Sequence, residues 1–67
     1  MTGTKTYHKV DGRTFMVWSD FVMRATYAQE IGSMEMRRIH GGGYLSNELS
    51  IRKAIANTFG LKSFRKA

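Results

Sequence analysis

The chain has no cysteine and no proline. Without cysteine there is no disulfide framework and no thiolate metal site to staple so small a fold. A chain of 67 residues buries only a modest share of its surface, so its core must be thin. Stability then has to come from that core, from self-association into a homo-oligomer, or from a partner. The lack of cysteine also suits a reducing compartment, and a cytoplasmic protein is expected. No apolar run approaches the roughly 20 residues that span a bilayer, and "MTGTKTYHKV" holds no apolar stretch of a secretory signal. Neither repeats nor low-complexity segments divide the chain, so one domain over 1–67 is expected. Aromatics are not scarce: four Phe, three Tyr and one Trp argue against intrinsic disorder.

Acidic residues are scarce in one half only. Up to residue 35, Lys5, Lys9, Arg13 and Arg24 balance Asp11, Asp20, Glu30 and Glu35. Beyond it, Arg37, Arg38, Arg52, Lys53, Lys62, Arg65 and Lys66 face Glu48 alone, so the whole net charge of +6 lies there. Segregated charge of one sign favours a polyanionic partner, whereas scattered charge serves solubility.

The pattern predicts a small α+β domain. "TKTYHKV-DG-RTFMVW" reads as a β-hairpin over about 4–18, because Asp-Gly accepts the positive φ values of a type I′ turn. That turn pairs Val10 with Arg13, His8 with Phe15 and Thr6 with Val17, and gathers Lys5, Tyr7, Lys9, Thr14, Met16 and Trp18 on the opposite face. Residues 20–31 read as helix or strand. Ser19 as N-cap, Asp20 in the first turn and Gly32 as a left-handed stop favour the helix. A weak strand is expected over about 33–39 and a glycine-rich joint over 41–43. An amphipathic helix follows over about 46–59, with Ser46 or Asn47 as cap and Glu48 paired with Arg52. Ile51, Ile55, Thr58 and Phe59 form its core face, Gly60 its stop, and 61–67 a basic tail.

Several chemistries lack their required residues. "HGGG" at 40–43 resembles an oxyanion loop only in its letters, since no G-x-S-x-G elbow accompanies it. Neither the P-loop pattern nor G-x-G-x-x-G occurs, and His8 and His40 stand apart from any ligand cluster. No catalytic residue, metal or cofactor is expected. A helix-turn-helix over "TYAQEIGSMEMRRI" matches at Ala28, Ile31 and Gly32. It fails at Ser33 and Arg38, where apolar residues are needed, and at Gly41.

Two basic surfaces remain. One joins Arg37 and Arg38 to Arg52, Lys53 and Asn57 of the helix and to Lys62, Arg65 and Lys66 of the tail, as donors to phosphates. The other is a stacking face on the hairpin, with Lys5, Tyr7, Lys9 and Trp18, where basic residues interleave with aromatic rings. The expectation is a small, basic, non-enzymatic nucleic-acid-binding or regulatory protein that works mainly through phosphate contacts. The alternative is a protein-binding inhibitor or adaptor, of the viral or mobile-element accessory type, that docks on an acidic surface of a larger enzyme.

Overall fold

The computed structural model describes residues 5–41 and 43–62. Asp11 and Gly12 both take positive φ, 52° and 75°, and the turn joins β1 (Thr6–Val10) to β2 (Arg13–Asp20) in the expected register. Period-two alternation then sends His8, Val10, Phe15 and Val17 to one face and Tyr7, Lys9, Met16 and Trp18 to the other.

Residues 20–31 form no helix. Asp20 ends β2, and its carboxylate accepts the backbone N–H groups of Val22 and Met23 at 2.9 and 3.2 Å. This Asx turn, closed by Arg24 at φ 54°, delivers the chain to β3 (Ala25–Glu30), antiparallel to β2. Ser19, read as an N-cap, instead shares a hydroxyl–hydroxyl contact of 3.3 Å with Thr26 across the strands. Gly32 does take the left-handed conformation, at φ 90°, but it serves the turn after β3 rather than a helix end.

The weak strand lies later than expected, as β4 (Met36–Gly41). It pairs with β3, and a bulge between its two pairing segments inserts Ile39 as an extra residue. Gly41 therefore belongs to a strand, opposite Ala25, and the N–H of Gly43 donates to the Arg24 carbonyl at 3.0 Å. Tyr44 sets its ring edge-on to Phe21 at 5.0 Å, and Leu45 donates its N–H to the buried Thr26 hydroxyl. Gly41 and Gly43 are thus both held beside the junction of the β2–β3 turn with β3.

Helix α1 (Glu48–Phe59) starts from Asn47, whose side chain accepts the Ser50 N–H, and stops at left-handed Gly60. Leu61 then donates its N–H to the Ala56 carbonyl and packs against the core, as the glycine stop requires. The sheet order is β1-β2-β3-β4, with α1 laid over one face of it. Val10, Phe15, Val17, Ala28, Ile51, Ile55 and Ala56 make the core, flanked by Ile39, Leu45, Phe59 and Leu61. Ala56 takes the inward place expected of Thr58, which stays half-exposed. Phe15 and Phe59 meet at 4.9 Å and close one end of the layer. Among the described residues, no helix is long and apolar enough to cross a membrane.

Candidate nucleic-acid interface

The sheet face turned away from α1 is covered by no element among the described residues. Strand register arranges its side chains in rows. Trp18, Tyr27 and Arg38 are cross-strand neighbours in one row, and Tyr7, Met16, Gln29 and Met36 in the next. Lys9 and Thr14 form a third, and Lys5 stands just before β1. Trp18 and Tyr27 lie nearly parallel, 27° apart, with centroids at 6.0 Å. Tyr7 leaves 62% of its surface to solvent. The Arg38 guanidinium lies beside Gly41, 3.7 Å from where a Cβ would stand.

Ion pairing is concentrated elsewhere. Glu30 receives two hydrogen bonds from Arg13, at 2.9 and 2.6 Å. The side-chain hydrogen bond from Arg13 holds the Glu30 carboxyl below its ordinary range, and the same bond raises the guanidinium. Glu48 pairs with Arg52 at 3.1 Å, one helical turn along. Glu35 pairs with Arg37 at 2.7 Å. Arg37 also donates to the Thr58 carbonyl at 2.9 Å and lies 5.1 Å from the Phe59 ring centroid. No basic residue stands in the last turn of α1, so Arg37 brings a positive charge to its carbonyl end from β4. Asp20 is committed to its turn. Among the described residues, Lys5, Lys9, Arg24, Arg38, Lys53 and Lys62 form no ion pair.

The basic surface expected to unite Arg37, Arg38 and the helix is therefore divided. Arg37 clamps the helix, whereas its neighbour Arg38 opposes Tyr27 on the far side of the sheet. Arg52 is turned inward, its side chain only 16% exposed, and its Nε is buried without an acceptor. Lys53, Asn57 and Lys62 are exposed on or just after α1. Arg65 and Lys66 lie outside the described residues. The structure does bring Lys5, Tyr7, Lys9 and Trp18 onto the open side, and adds Tyr27, Gln29 and Arg38 to them. Those additions depend on the turn at 21–24. Alternation simply continued from Phe15 and Val17 would send Tyr27 and Gln29 to the helix side, and it is the pairing of Trp18 with Tyr27 and Met16 with Gln29 that brings them to the open face.

Beneath the sheet, an open cavity of about 280 Å³ lies between β1, the end of β2 and the start of α1, lined by Thr6, His8, Ser19, Leu45, Glu48 and others. The His8 Nε2 contacts the Thr6 hydroxyl at 2.8 Å, while Nδ1 lies 4.0 Å from Glu48. Burial pushes the His8 pKa below its ordinary value of 6.5, more than nearby Glu48 restores it, and Arg52 lowers it further. Among the described residues no three His, Asp or Glu side chains gather as a metal site. The chain matches no protein-family model, no curated protein and no solved structure.

Proposed function

We propose that this protein is a non-enzymatic nucleic-acid-binding domain of the cytoplasm that holds its ligand mainly through phosphates. The observation that carries the reading is the distribution of charge. Glu30, Glu35 and Glu48 are each matched by an arginine, and Asp20 caps a turn. Lys5, Lys9 and Arg38 remain without an acidic partner among the described residues, on a face that also bears exposed Tyr7 and half-buried Trp18 and Tyr27. Such a face attracts a polyanion and offers its rings as platforms.

Anisotropy of a labelled oligonucleotide, titrated between about 50 and 200 mM salt, tests this. Affinity falls with salt as a straight line in log–log form. Replacing both Lys9 and Arg38 with Gln lessens the slope by about 2, one for each lost phosphate contact. Salt-insensitive binding, or none at low salt, would sink the reading.

A second reading, a protein-docking inhibitor or adaptor, is favoured by Met34 and Met36, 95% and 53% exposed beside the β4 edge. It requires capture of one defined protein from extract in a complex that survives nuclease.

A further inference from the structure

We infer that the ligand is a single strand, whose bases stack on Tyr7 and on the Trp18–Tyr27 pair while Lys5, Lys9 and Arg38 hold its phosphates. This rests on the nucleic-acid reading and narrows it to one form of the polymer.

Geometry keeps this face out of the grooves of a duplex. Four strands at about 4.8 Å spacing make a sheet roughly 14 Å wide, more than the ~12 Å major groove, which admits a helix or a two-stranded ribbon. The aromatic rows are two residues apart along each strand, or about 7 Å. Bases in a duplex rise only ~3.4 Å per step, so neighbours cannot occupy both rows while stacked on each other. A splayed single strand can. Its bases then meet exposed Tyr7 in one row and the Trp18–Tyr27 pair in the other.

The flanking chemistry agrees. Arg38 closes the Trp18–Tyr27 row, and Lys9 stands one row beyond Tyr7 on the same strand. Cations at both ends of an aromatic path match a backbone running alongside the stacked bases. Gln29, in the Tyr7 row and two residues along β3 from Tyr27, donates its amide to the Ser33 carbonyl at 2.7 Å and keeps its Oε1 to accept from base edges. The competing duplex reader would be α1 in a groove. Its exposed side holds Leu49, Ser50, Lys53 and Asn57, with Lys53 as its only cation outside an ion pair, because Arg52 is bound to Glu48.

Trp18 is the chain's one tryptophan and reports directly on the platform. The full chain is titrated with an oligothymidine, an oligouridine and a duplex of equal length, following Trp18 emission and anisotropy. Saturable quenching by either single strand, with the duplex bound more weakly, is the expected result. Which single strand binds more tightly assigns DNA or RNA. Tyr7→Leu removes a solvent-exposed ring face, and circular dichroism verifies that the fold is kept. It weakens single-strand binding at least about fivefold. Tighter binding of the duplex without quenching, or an unchanged affinity in Tyr7→Leu, overturns the single-strand inference and leaves the nucleic-acid reading standing. Failure of all three oligonucleotides to bind at low salt ends both.

Discussion

Phe15 is fully buried at the meeting point of hairpin and helix, against Phe59. Its truncation in Phe15→Ala removes a ring that so thin a core cannot replace. The expected cost is about 3–5 kcal/mol, most of what a domain of this size possesses. The variant therefore loses its cooperative urea transition, whereas Phe15→Leu keeps it at a lower midpoint. His8 governs a different property. Its side chain is 8% exposed and its pKa is lowered, so the folded state binds a proton less readily than the unfolded chain. Stability is then complete above about pH 6.5 and declines as acid protonates the histidine in the unfolded chain first. Denaturation midpoints of the native chain fall between about pH 7 and pH 5, and those of His8→Gln stay level across that interval. A native midpoint that holds or rises on acidification contradicts the assignment.

At the level of elements, legibility followed from how many structures a given residue chemistry can serve. Asp-Gly between strand-like runs has one good solution, and the hairpin forms with the expected register. Gly60 and Leu61 mark the end of α1 with little ambiguity, and of the two candidate caps, Ser46 and Asn47, it is Asn47 that opens the helix. Ser19, Asp20 and Gly32 are less specific. A carboxylate that accepts N–H groups two and three residues ahead makes an N-cap or an Asx turn equally well. Only pairing with β2 and β4, a property of distant residues, decides for the strand. The same ambiguity hid half of the candidate face, because Tyr27 and Arg38 reach it only if β3 is a strand. Lys5, Tyr7, Lys9 and Trp18 were legible because the hairpin alone places them. The turn itself can be tested. Asp20→Ala leaves two N–H groups without their acceptor and lowers stability by about 1 kcal/mol in chemical denaturation. Arg24→Gly, which relieves a left-handed side-chain conformation, shifts the midpoint upward or leaves it unchanged.

Across the molecule, two adjacent arginines do opposite work because the sheet separates them. Arg37 faces α1 and joins Glu35, Thr58 and Phe59, whereas Arg38 faces away. Arg37→Ala is expected to cost about 1–2 kcal/mol, a fall of several degrees in Tm for a domain this size. Arg38→Ala changes Tm by little, as exposed substitutions generally do within about 0.5 kcal/mol. Thermal scans of the two variants side by side decide whether this division of labour holds. The β1-β2-β3-β4 order has a further consequence, one of timing. Each strand pairs with the one just before it in the chain, so the sheet can assemble in register, hairpin by hairpin, from contacts close in sequence. The helix is made after all four. Until Ile51 and Ile55 dock, Val10, Phe15, Val17 and Ala28 have no cover, and the paired sheet is apolar on that side while basic and aromatic on the other. A state with the sheet paired and α1 not yet docked is therefore the sticky, half-dressed form of this protein, and the one for which a chaperone would matter most.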